Sequence, residues 1–207
     1  MMKVLLFNGS PKEFGCTYTA LKEVADTLEK ENIETEIIHI GALQRGCVGC
    51  GGCKKNERCV FGEEDGLNSA LEKAESADGI ILGSPVHFAS ASGMITAFAD
   101  RFFMASKNLS HKVGASVVSC RRGGASAAFD QLNKYFTIRH MPVASSQYWN
   151  MVHGSKGEDV LKDEEGMQTM RMLGKNMAWL LKCIDAGKKN GINPPEIEPK
   201  ISTNYIR

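Results

Sequence analysis

The sequence predicts a doubly wound α/β domain, a five-stranded parallel sheet with helices on both faces. Three observations carry this. Short apolar runs alternate with amphipathic helical stretches along the 207 residues. Parallel neighbours require such crossover helices to cover the sheet. A chain that is 43% hydrophobic can bury one large core.

The first run, VLLFN at 4–8, ends in a Gly-Ser-Pro turn. Thr17 then stands where a helix cap is expected, with Leu21, Val24, Ala25 and Leu28 at helical spacing behind it. TEIIHI at 35–40 is the second strand, followed by a cysteine loop at 46–65. Leu67, Ala70, Leu71 and Ala74 then share a helix face, and GIILG at 79–83 is the third strand. Ile95, Phe98, Ala99 and Phe102 mark the next helix, and GASVVS at 114–119 the fourth strand. Residues 124–138 form a further helix, and MPVAS at 141–145 is assigned as the fifth strand. Met170, Leu173, Met177, Leu180, Leu181 and Ile184 predict a long last helix, whose methionines are core rather than chemistry. Residues 1–190 thus form one domain, and 191–207, with three of the six prolines, form a tail.

Charge narrows the function. Against 25 basic residues stand 24 acidic ones, a formal net charge of +1 with no like-charge block. That argues against nucleic acid or an anionic membrane as partner. The run Val4 to Phe7 is too short for a signal-peptide core or a membrane span, which predicts a cytoplasmic protein with reduced cysteines.

Three loops carry the ligand chemistry. FNGSPKEFGCTYTAL joins the first strand to the first helix, where backbone N–H groups and the helix dipole favour an anion. Ser10, Lys12 and Thr17 add hydroxyls and a positive charge. The loop contains neither G-x-G-x-x-G nor a Walker lysine, which disfavours a dinucleotide or triphosphate. GSPVHFASASG at 83–93 follows the third strand and SCRRGGASAA at 119–128 the fourth. In the order 2-1-3-4-5, ligands bind beyond the carboxyl ends of the strands at the switch point between first and third. The three loops converge there, with amides suited to a flavin's polar edge and Val86, His87 and Phe88 beside its ring.

The cysteine loop reads C-x2-C-x2-C-x5-C over Cys47, Cys50, Cys53 and Cys59, with glycines at 46, 49, 51 and 52. A reducing compartment favours metal or catalysis over disulfides for such a cluster. Three thiolates at i, i+3 and i+6 and a fourth ligand can face a 4Fe-4S cube. Zinc is the main rival, although its sites more often use two separated C-x2-C pairs. A structural elbow with free thiols is the third reading. Cys16 is taken as a small packing residue.

The segments GSPK…CT, GSPVHF…SG with Asp100 and Arg101 behind it, and RRGG together resemble the FMN-binding loops of the NADPH-dependent FMN reductase-like flavoproteins, of flavodoxin-like fold. The resemblance spans roughly residues 1–150. It implies FMN, with Ser10, Lys12, Cys16, Thr17 and Tyr18 at its phosphate. Pro85, Val86, His87 and Phe88, and Ser119, Arg121, Gly123 and Gly124 between 119 and 124, then meet the ring or ribityl chain. The complete cysteine pattern is similar to that of the iron-sulfur flavoproteins within this superfamily. That implies one 4Fe-4S cluster on Cys47, Cys50, Cys53 and Cys59.

The resemblance further implies a homodimer or homotetramer in which cluster and flavin approach across subunits. SSQYWNMVHG at 145–154, with Tyr148 or Trp149, is a candidate to cover a neighbour's flavin, and simple interface packing is the competing account. The catalytic proton donor is unassigned: His87 is the candidate, and His153 reads as a hydrogen-bonding residue. Three activities fit. The first passes electrons from ferredoxin or NAD(P)H through cluster and FMN to a small acceptor. The others are a cluster-free NAD(P)H-dependent FMN or quinone reductase and a flavodoxin-like electron carrier.

Overall fold

The computed structural model describes residues 1–41 and 44–203. β1 (Lys3–Asn8), β2 (Glu34–His39), β3 (Gly79–His87), β5 (Val113–Cys120) and β6 (Met151–His153) form a parallel sheet in the order β2-β1-β3-β5-β6. β4 (Ser90–Ala91) is a two-residue arm that turns back antiparallel on the end of β3. With that arm set aside, the order is the 2-1-3-4-5 expected from the sequence.

The central strands are apolar throughout because both faces are covered. Alternate side chains part between two cores. Leu5, Phe7, Ile80 and Leu82 pack beneath α3 (Leu67–Ser76), α4 (Gly93–Ala105) and α5 (Ala125–Thr137). Val4, Leu6, Ile81 and Val117 face α1 (Cys16–Lys30) and α7 (Glu164–Lys189). The last helix begins at Glu164, six residues before its first predicted apolar position, where the Asp163 carboxylate accepts from the Gly166 N–H at 3.0 Å. Met170 and Met177 are fully buried core, as expected. Two short helices, α2 (Gly52–Asn56) and α6 (Gly157–Val160), were not foreseen. Residues 192–203 form neither helix nor strand, and the tail positions 204–207 lie outside the described residues.

Two assignments are corrected. The fifth strand is Met151–His153, not 141–145. MPVAS runs beside the start of β5 but makes only a single bridge there, Gly114 to Val143. The chain leaves the sheet at 145–150 and returns beside Val118. Thr17 does not cap α1. Gly15 does, and Thr17 sits in the first turn with its hydroxyl on Ser119. No helix among the described residues is long and apolar enough to cross a membrane.

Candidate functional site

The carboxyl ends of β1, β3, β5 and β6 open into a crevice of about 420 Å³. The loops that border it are held together by close backbone approach behind the lining residues. The Gly9 N–H donates to the Gly83 carbonyl at 2.8 Å, and a Cβ on Gly9 would meet Ile95 Cβ at 2.5 Å and that carbonyl at 2.9 Å. Ser92 caps α4 and donates its hydroxyl to the Gly9 carbonyl at 2.8 Å, joining the first and second loops. In the first loop, Asn8 Oδ1 accepts from the Ser10 N–H at 3.1 Å and Ser10 Oγ accepts from the Lys12 N–H at 3.1 Å. Those bonds wind the chain into α1.

Gly15 caps α1 with no side-chain acceptor, and the first turn holds no acidic residue. The opening N–H groups of that helix have no intrahelical partner, and Lys12 stands beside them. This donor set fits a phosphate. Burial, with Asp159 adding to it, pushes the Cys16 thiol above its ordinary range against the opposing charge of Lys12. Cys16 is therefore a neutral thiol against the crevice.

Of the residues expected around a flavin, Ser10, Lys12, Cys16, Thr17, Pro85, Val86, His87, Ser119 and Arg121 line this crevice. Four do not. Tyr18 sits behind the wall, packed edge-on against the lining residue Phe14 at 5.0 Å between ring centres. Phe88 is fully exposed at the tip of the β3–β4 hairpin, with φ of 50°, next to Ala89 at 58°. Gly124 caps α5 in the left-handed region, at φ 88°, and neither it nor Gly123 reaches the crevice wall. The sequence reading missed Gly154 to Glu158, which closes the crevice beyond β6 and brings in Lys156. Cys120 also lines it, its thiol pushed up by burial and 3.4 Å from His153 Nδ1.

A second cavity, of about 190 Å³, lies in the loop after β2. All four cysteines of the motif line it. Cys47 and Cys50 are exposed, while Cys53 and Cys59 are half-buried against the core. Gly49 and Gly51 take φ of 66° and 70°, a conformation that glycine adopts without strain. Asn68 pins the fourth cysteine, its Oδ1 accepting from the Cys59 N–H at 2.9 Å and its amide donating to the Cys59 carbonyl at 3.0 Å. A Cβ on Gly62 would strike that amide oxygen at 2.4 Å.

Arg101, from α4, reaches the same place. Its Nε donates to Cys59 Sγ at 3.3 Å, its Nη1 to the Arg45 carbonyl at 3.1 Å, and its fork grips Asp65. Burial opposes the guanidinium charge, but the bonds to Asp65 and Cys59 outweigh it and hold the pKa above its ordinary value.

Among the described residues, no three His, Cys, Asp or Glu side chains converge as the ligands of one metal ion would. A single zinc requires every sulfur about 2.3 Å from one point. Cluster ligands instead bind different irons and so surround a volume. Four thiols around one cavity suit the latter donor geometry.

A parallel doubly wound sheet in this order, with a crevice at its switch point, is the architecture of the flavodoxin-like proteins. Residues 2–156 match the NADPH-dependent FMN reductase family. An iron-sulfur flavoprotein of Methanocaldococcus jannaschii is 33% identical over 193 residues, covering 88% of this chain and 99% of that one. An iron-sulfur flavoprotein of Archaeoglobus fulgidus is 31% identical over 192 residues, covering 85% and 94%. Among solved structures, RosB with bound 8-demethyl-8-formylriboflavin-5'-phosphate superposes with a TM-score of 0.68 at 15% identity, covering 100% of this chain and 94% of that one. A flavodoxin from the Archaea gives 0.60 at 15% identity, covering 88% and 99%. These two likenesses bear on the fold.

The chain belongs to the NADPH-dependent FMN reductase family and, within it, to the iron-sulfur flavoprotein group. It is an FMN-dependent flavoprotein and a flavin-dependent oxidoreductase.

Proposed function

We propose that the chain carries electrons from ferredoxin or a reduced nicotinamide to a small acceptor, using FMN in the larger crevice and a 4Fe-4S cluster on Cys47, Cys50, Cys53 and Cys59. The observation that carries this reading is the gathering of all four cysteines around one cavity. A cluster exchanges one electron and FMN one or two, so together they would couple one-electron to two-electron chemistry.

The chain's own residues have distinct tasks in this reading. Lys12, Ser10 and the first turn of α1 hold the phosphate. Pro85 to His87 and Ser119 to Arg121 form the two walls that orient the ring. His87, exposed at the lip, is the candidate proton donor to a reduced acceptor. The two cavities share no lining residue. We therefore assign electron passage to a homo-oligomer, in which the cysteine loop of one copy faces the crevice of another.

Anaerobically purified and reconstituted protein is expected to hold about four iron and about four acid-labile sulfide per chain, the cubane stoichiometry. Background iron with FMN retained would overturn the cluster. The NADPH-dependent FMN reductase match then favours a second reading, two-electron reduction of FMN or a quinone by NAD(P)H. A flavodoxin-type carrier is less favoured because a net charge of +1 supplies no acidic docking face.

A further inference from the structure

Among the described residues, Arg101 is the one charged residue that is buried, at 3% exposure. Burying a cation is costly unless it is paired and its remaining donors are satisfied. Asp65 meets this need with both carboxylate oxygens, and the Arg45 carbonyl takes a further N–H. The charge is thus already neutralised without any sulfur. Nevertheless, Nε points at Cys59 Sγ at 3.3 Å. A thiol is a weak acceptor, whereas a metal-bound thiolate is a strong one.

The two partners are held independently. Arg101 lies within α4, between Phe98 and Phe102, both in the core. The backbone of Cys59 is fixed by Asn68. The donor is therefore presented to the sulfur by rigid elements on both sides, while Cys47 and Cys50 stand exposed on the glycine-rich run.

We propose that Arg101 is a positioning residue for the cluster: it fixes Cys59 Sγ as the fourth ligand and raises the cluster's reduction potential. The inference rests on the cluster reading given above. One-electron reduction adds a negative charge, and an N–H donor with a fixed positive charge beside a ligand sulfur favours the reduced state. Asp65, on the far side of the same guanidinium, opposes it. Outer-shell partners of this kind orient ligands and tune metal centres.

The test uses reconstituted holoprotein, with iron, sulfide and FMN counted in each sample and the cluster midpoint read by mediated potentiometric titration. Arg101→Met is expected to shift the midpoint negative, Asp65→Asn to shift it positive, and Arg101→Lys to recover part of the loss. A purely structural role would not move the two partners in opposite directions. Unchanged midpoints, or shifts of the same sign, overturn the inference. If Arg101→Met cannot hold a cluster, Arg101→Lys decides, because it keeps the charge but loses the Nε donor to Cys59: a negative shift from wild type supports the inference and an unchanged or positive midpoint overturns it. Background iron in the reconstituted wild type removes the cluster reading and this inference together. Full iron with unmoved potentials removes only the inference.

Discussion

The hydroxyls of Thr17 and Ser119 lie 2.9 Å apart, buried, and tie the first turn of α1 to the end of β5 across 102 positions of sequence. This bond joins two of the walls of the crevice proposed for the flavin. Thr17→Val or Ser119→Ala each leaves one buried hydroxyl unpaired and is expected to cost about 1–3 kcal/mol. The double variant is expected to cost less than the sum, as read from urea midpoints. Simple additivity would show that the hydroxyls are not coupled.

Lys12 stands exposed beside the opening of α1. Lys12→Glu replaces attraction for a phosphate by repulsion and is expected to weaken FMN binding about tenfold or more, equivalent to about 1.4 kcal/mol. Flavin fluorescence quenching on titration into the apoprotein measures it. Lys156→Glu is expected to act in the same direction, because Lys156 lines the same crevice. Unchanged affinity in both variants would remove the phosphate from this end.

Cysteine reactivity reports on both cavities. In metal-free protein, the exposed Cys47, Cys50 and Cys183 are expected to react with iodoacetamide first. Cys16 and Cys120 are expected to lag, since burial raises both thiols and lowers their thiolate fraction. Loading with iron and sulfide is expected to protect Cys47 and Cys50 but not Cys183. Peptide mass spectrometry distinguishes these sites, and continued reactivity of Cys47 in loaded protein counts against its being a ligand.

Glu36, on β2, is bridged to Lys73 and to Lys3, the latter at 3.1 Å. The bond to Lys73, aided by Lys3, holds its carboxyl below the ordinary value. A depressed folded pKa means that its stabilisation is complete above the unfolded value of about 4.3 and is lost as pH falls through the folded one. Glu36→Gln is expected to flatten this part of the acid limb. With the side chain 31% exposed, the difference stays below about 1 kcal/mol and shrinks in high salt. Thermal midpoints across the acid range for both proteins give the comparison.

The sequence made β1, β3 and β5 legible because burial on both faces produces unbroken apolar runs. The fifth strand was hidden by its brevity: Met151–His153 pairs over only three residues, while MPVAS has the composition of a strand and makes one bridge. That misplacement also concealed the crevice wall at 154–158, which is recognisable only once it is known to follow a strand. Phe88 carried no signal of its exposure, since φ of 50° followed by 58° falls on Phe and Ala rather than on glycine. The cysteines were legible from local spacing, but the Arg101 to Cys59 contact spans 42 positions and belongs to the tertiary fold.

The interruption at 145–150 has a further consequence. A sheet's outermost strands expose unpaired backbone groups that can recruit a foreign strand. Here one border is only three residues long, and the other, β2, carries Glu34 and Glu36, both bridged to Lys3. A chain bordered in this way offers little template for edge-to-edge stacking by a foreign strand.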